Sequence, residues 1–231
     1  MKKDIVLPLF ILLAVALGCS RITEMANTSS GSANSSNSNT ETFNADGPAA
    51  PASGEFAPSS DPKSDIEKMA ERFLSVGSFR ATMNGDGKMP MKNDLEFVPP
   101  DRYRIKTGNG MEMIIIGKTS YMKLGDQWQK MPMPLDSTIS DMRSAFNKEG
   151  MKWFSDVKHE GDDSVNGKEA YVYTYHGKGP DNVGENDSKL WVAKSDGLPL
   201  KIEAKYRSGN LKSMTIEYDY DTPVTIEPPI Q

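Results

Sequence analysis

The sequence predicts an α+β domain: a curled antiparallel sheet, an open or half β-barrel of about ten strands, wrapped around two helices. Three observations predict it. Apolar residues alternate with polar ones through most of residues 78–227, the period of a sheet with one wet and one buried face. Turn residues punctuate these runs at short intervals, which makes neighbouring strands antiparallel. Two stretches carry a helical period instead, one before the first strand and one midway. A sheet of that many strands must curl, and the helices offer apolar faces to its concave side.

The chain opens with a different kind of segment. Lys2 and Lys3 give a positive start, and residues 5–17 are an apolar run of 13. A bilayer core of roughly 30 Å needs ~20 such residues, so the run has the length of a signal-peptide core rather than a membrane span. Ala16-Leu17-Gly18-Cys19 follows and resembles a bacterial lipobox, with Ala16 where the consensus has Leu. The resemblance implies cleavage before Cys19, which would carry a thioether-linked diacylglycerol and an N-acyl (palmitate-type) chain. Each buried CH₂ adds ~0.8 kcal/mol, so two or three chains anchor far more firmly than one. Ser20, not Asp, follows the Cys; in a Gram-negative cell that implies the outer membrane.

Residues 27–42 hold 13 Ser, Thr or Asn in 16 positions, and residues 47–62 are rich in Pro, Ala, Gly and Ser. Such a stretch buries too little to offset ordering entropy and is expected to be a disordered tether. The expected organisation is therefore a lipoprotein signal peptide at 1–18, a lipidated Cys with its tether at 19–62, and a folded domain at 63–231.

In that domain, Ser64 and Glu67 have capping-box spacing. Ile66, Met69, Ala70, Phe73 and Leu74 then mark one helix face, which should run to about Val76 before Gly77. Strands follow. By parity the inward set is Phe79, Ala81, Met83, Leu95, Phe97, Tyr103, Ile105, Met113, Ile115, Met122, Leu200, Ile202 and Ile216. Between Pro134 and Trp153 the alternation stops. Asp136 can cap a helix there, with Ile139, Met142 and Phe146 on one face.

Composition excludes several functions. Lys+Arg is 27 and Asp+Glu is 32, a net charge of −5, so nothing draws the chain to nucleic acid. One Cys excludes a disulfide framework and a multi-cysteine zinc site, and two His leave little for metal catalysis. No nucleophile elbow, zincin motif or P-loop is present, so the chain reads as a non-enzyme without a cofactor. Met89-Pro90-Met91, Met111-Glu112-Met113 and Met131-Pro132-Met133 raise Cu(I) binding by thioethers. The same spacing is what a buried strand face requires, and Met is a common filler of adaptable apolar surfaces. Residues 181–187 form an acidic loop without EF-hand spacing.

Three places resemble the LolA/LolB lipoprotein-carrier superfamily, which includes LppX/LprG-type lipoproteins and the periplasmic sigma-E regulator domain. They are the opening helix running into Ser78-Phe79-Arg80-Ala81, the step Val98-Pro99-Pro100-Asp101-Arg102, and Gly117-Lys118-Thr119-Ser120-Tyr121 followed by Trp128. Leu190-Trp191-Val192 and Gly197-Leu198-Pro199 fit the same pattern. The resemblance implies a half-barrel whose helices cover an apolar cavity for lipid or lipoprotein acyl chains. That cavity would be lined by Met83, Phe97, Tyr103, Ile105, Met113, Ile115, Met122, Ile139, Met142, Phe146 and Ile202. It implies an extracytoplasmic, membrane-anchored carrier with lipid as its partner. Pro99 stands where the soluble carrier has a lid-latching Arg, so that latch is missing or replaced. Parity alone does not separate a hollow interior from a filled one. A filled core would make the domain an interaction or sensor module with a protein partner.

Overall fold

The computed structural model describes residues 54–132, 148–178 and 184–230. The signal-peptide and Cys19 readings, and those of Ile139, Met142, Phe146 and the helix over 136–147, lie outside them. The described chain is one helix, α1 (Pro62–Leu74), then strands β1 (Phe79–Gly87), β2 (Met91–Val98), β3 (Arg102–Thr107), β4 (Glu112–Ile116), β5 (Thr119–Leu124) and β6 (Gln127–Met131). A four-residue turn of helix, α2 (Lys148–Met151), leads into β7 (Phe154–Val165), β8 (Lys168–Gly177), β9 (Asn186–Ala193), β10 (Pro199–Tyr206) and β11 (Leu211–Asp219).

The eleven strands form one antiparallel sheet in the order β6-β5-β4-β3-β2-β1-β11-β10-β9-β8-β7. Every neighbour but the β1–β11 pair is joined by a short connection. That one pair joins the first six strands to the last five, and β6 and β7 are the edge strands of the sheet among the described residues. The sheet is a curled, open half-barrel of the expected α+β class.

α1 starts earlier than the capping box suggests. Its N-cap is Asp61, whose side chain accepts from the Lys63 N–H, and Pro62 occupies the first helical position. Pro has no N–H to leave unsatisfied there, and an Asp cap complements the helix dipole, so Asp61-Pro62 prevails over Ser64. The helix ends at Leu74 with Ser75 as its C-cap. Ile66, Met69, Ala70 and Phe73 are buried on the concave face of the sheet, whereas Leu74 falls at the stripe's margin and is exposed. Packing begins before residue 63. Phe56, inside the stretch read as tether, is buried against Tyr171 and Gly197, and its N–H donates to the Lys194 carbonyl at 2.8 Å.

The chain after β11 is a second feature without a sequence signal. It crosses the convex side, where Ile226 is buried with Ile114 and Tyr121. Arg102 Nη1 donates to the Ile226 carbonyl at 2.8 Å and Arg80 Nη2 to that of Pro223 at 3.4 Å, tying this strap to β3 and β1.

Candidate ligand-binding wall

Register sorts the concave face of the first half into rungs that run across the strands. The first is Phe79, Phe97, Tyr103, Ile115 and Ser120, ending on Met131. The second is Tyr218, Ala81, Leu95, Ile105, Met113 and Met122. The third is Ile202, Ile216, Met83, Asn93 and Thr107. All eight described residues expected to line a cavity therefore share one concave surface: Phe97, Tyr103 and Ile115 on the first rung, Ile105, Met113 and Met122 on the second, Met83 and Ile202 on the third. Leu200 is the exception in the inward set. A register shift between Pro199 and Lys201 inverts its parity, and it packs with Ala170, Val172, Trp191 and Ala193.

The rungs are not equally covered. Phe73 of α1 stands over the first, its ring 5.3 Å from Phe79 and 5.4 Å from Tyr218. Ring contacts continue from Phe79 to Phe97 at 5.2 Å and from Phe97 to Tyr103 at 5.0 Å. This aromatic file is sealed. On the second rung Leu95, Ile105 and Met122 are only half-buried although they border the core, as is Ile216 on the third.

Two polar side chains interrupt this apolar surface, and parity reading passed over both. Asn93 Nδ2 and Ser120 Oγ are buried and have no hydrogen-bond partner among the described residues. An unpaired buried donor costs about 1–3 kcal/mol, so such groups carry a reason for being there. The signal lay in the sequence: both stand at positions where the alternation calls for an apolar residue.

A third buried polar group supports the helix. Asp65 lies under α1 and accepts from the Ser59 N–H at 2.9 Å and from the Tyr173 hydroxyl at 3.2 Å, with Lys68 Nζ 3.7 Å from its other oxygen. Burial, with the Asp65 charge second, pushes the Tyr173 phenol well above its ordinary range. Tyr171, Tyr173 and Tyr175 share a strand, and Phe154 stacks on Tyr175 at 4.3 Å.

The other candidate chemistries do not assemble. Met91 pairs with Gly85 at one rim, Met131 on β6, four strands from β2, pairs with Ser120, and Met113 sits on the middle rung, so the thioether units are spread across the wall. Met133 lies outside the described residues. No group of three or more His, Cys, Asp or Glu among the described residues could hold a metal. Asp187, from the acidic loop, is engaged by His176 at 3.0 Å and by Arg207 at 3.2 Å, and these hydrogen bonds, that of His176 first, hold its carboxyl below the usual range. A cleft of about 580 Å³ opens beside these residues, bordered also by Lys189, Glu203 and Lys205. Its lining is charged and belongs largely to the convex face, so it is no place for an acyl chain. Pro99 joins Pro100 through a cis peptide bond in the β2–β3 turn, at the rim of the wall.

The fold is thus a curled, open antiparallel half-barrel with an aromatic file under α1 and a half-buried apolar rung beside it. Solved structures share it: lipoprotein LppX of Mycobacterium tuberculosis, with a TM-score of 0.56 at 14% identity over 72% of this chain and 98% of that one. LprF of Mycobacterium bovis gives a TM-score of 0.55 at 14% identity, covering 77% of this chain and 100% of that one. No family model matches the chain, and comparison with curated proteins finds no significant relative.

Proposed function

We propose that this chain is an extracytoplasmic lipoprotein, anchored through Cys19, that binds lipid or lipoprotein acyl chains non-covalently against the β2–β5 wall and passes them on without catalysis. The observation that carries the reading is the second rung, where Leu95, Ile105 and Met122 remain half-buried on a concave apolar face. An acyl chain laid there would remove that surface from water at ~25 cal/mol per Å². Asn93 and Ser120, buried and without a partner among the described residues, would reach an ester or headgroup oxygen once the wall opens to admit the chain. Two further facts support it: the similar fold of LppX, itself a lipoprotein, and the lipobox-like Ala16-Leu17-Gly18-Cys19. Leaving a bilayer gains nothing from the hydrophobic term, so loading requires a competing acceptor or a structural opening.

Native mass spectrometry of the full chain purified from bacterial membranes tests this. The expected result is a co-purifying lipid mass, beyond any covalent modification of Cys19, that is lost in Ile105→Asp while circular dichroism is retained. Repeated absence of lipid from well-folded protein would overturn the reading.

A further inference from the structure

Five large apolar side chains are exposed among the described residues, and three of them, Met89, Leu124 and Trp153, occur in or beside turns. Antiparallel register fixes where those turns lie. Gly87 faces Leu211, Leu124 faces Gln127 and Phe154 faces Gly177, so the β1–β2 turn, the β5–β6 turn and the entry to β7 share one rim of the half-barrel. The Lys178 N–H donates to the Trp153 carbonyl at 3.0 Å, which fixes that tryptophan's backbone to the rim.

The same rim is basic, although the chain is net acidic. Lys88, Lys92, Lys123, Lys178 and Lys212 lie on or next to it and make no ion pair among the described residues, against Asp86, Asp126 and Asp156; Glu185 and Asp187, also at this rim, are paired with Arg207. The other rim is different. It carries Asp101, Asp196, Asp219 and Asp221 beside Lys118, and its Lys168 and Lys194 are tied to Asp221 and Asp162 at 2.7 and 2.8 Å.

An exposed tryptophan and two apolar turn tips framed by unpaired lysines have the chemistry of an anionic bilayer surface. Indole rings settle at the headgroup level, apolar tips enter the acyl boundary, and lysines meet lipid phosphates. We infer that this rim is a docking surface for anionic lipid headgroups, with Met89, Leu124 and Trp153 dipping into the interface. The Cys19 anchor would not produce this by itself, because the chain leads back toward it from Phe56, held by Lys194 at the opposite rim. The inference is separate from acyl binding: a protein that docks but never carries lipid would sink the carrier reading and leave this one standing.

Full-length protein reconstituted in phosphatidylglycerol–phosphatidylcholine vesicles with acyl-brominated lipid gives the test, because bromine quenches only tryptophan that reaches the bilayer. Trp191 is covered by Lys189 and Lys201; Trp128 is half-buried in the strap cluster but faces Lys123 beside the rim, so every variant is made in a Trp128→Phe background. The expected result is quenching lost in Trp153→Phe, lost in Lys88→Glu/Lys92→Glu/Lys212→Glu, and weakened in pure phosphatidylcholine. A Met89→Ser/Leu124→Ser variant with unchanged circular dichroism should also lose it. Quenching that is absent, or indifferent to Trp153 and to the lysines, overturns the inference, including the case in which the rim instead serves a protein partner.

Discussion

The two halves of the sheet are built from the same alternating pattern and are held in opposite ways. Strands β8–β10 are held from inside: α1 covers their concave face, and Tyr173, Leu190 and Val192 are at most 1% exposed. Strands β3–β5 are held from outside, where the strap buries Ile226 against Ile114 and Tyr121. Their inner face keeps half-buried Ile105 and Met122. The difference teaches that one sheet can be braced from either face: α1 covers one half from the concave side, and the strap covers the other from the convex side, opposite the half-buried Ile105 and Met122.

The largest expected effect separates the halves by pH. Burial raises the pKa of Tyr175, Tyr218 and Tyr220, and pushes Tyr206 up to about 12. All lie around the filled half. Folding holds these phenols neutral, so their contribution is intact below the unfolded value of about 10 and is lost as pH rises through the folded values. Stability should fall steeply above pH ~10. Phenolate absorbance should appear together with loss of circular dichroism, and buried tyrosines that ionised without unfolding would contradict it.

Truncating one side chain on each side sharpens the contrast. Leu190→Ala, in the sealed half, should cost about 2–5 kcal/mol in urea unfolding. Ile226→Ala removes the brace and should cost about 2–4 kcal/mol. Its amide-exchange signature should differ, with protection lost in β4 and β5 and kept in β8 and β9. Uniform loss across the sheet would show that the strap does not act locally. Tyr173→Phe comes next, at about 1–3 kcal/mol, because Asp65 loses its hydroxyl donor and keeps the Ser59 N–H.

How much of this could be read in the sequence depends on distance along the chain. The strands, the rungs of Phe97, Tyr103, Met113 and Ile115, and the α1 stripe of Ile66, Met69 and Phe73 follow from local period. The Asp61 cap was legible too, since Asp before Pro is a strong helix start, but the Ser64–Glu67 spacing masked it. Leu200 was lost to a bulge that no periodicity reveals. Val224 and Ile226 do not alternate within a strand, and their partners, among them Ile114, Tyr121 and Trp128, lie about a hundred residues earlier, so nothing local assigns them a face. Coverage was illegible for the same reason: alternation says which way Ile105 points, not what, if anything, lies over it.

That last point sets the smallest stability effect and the most informative one. Ile105 already meets solvent in part, so Ile105→Ala removes less buried surface and leaves less of a cavity than Leu190→Ala. About 1 kcal/mol is expected, against the 2–5 kcal/mol of a sealed site. If the second rung is the acyl wall, the same change should reduce the amount of lipid that co-purifies, while Leu190→Ala lowers stability and leaves the lipid-to-protein ratio of the folded fraction unchanged. The two variants, compared by urea midpoint and by lipid mass, should therefore rank in opposite orders. The same order on both scales would mean that the halves do not differ in kind, and that the wall around Ile105 is ordinary core.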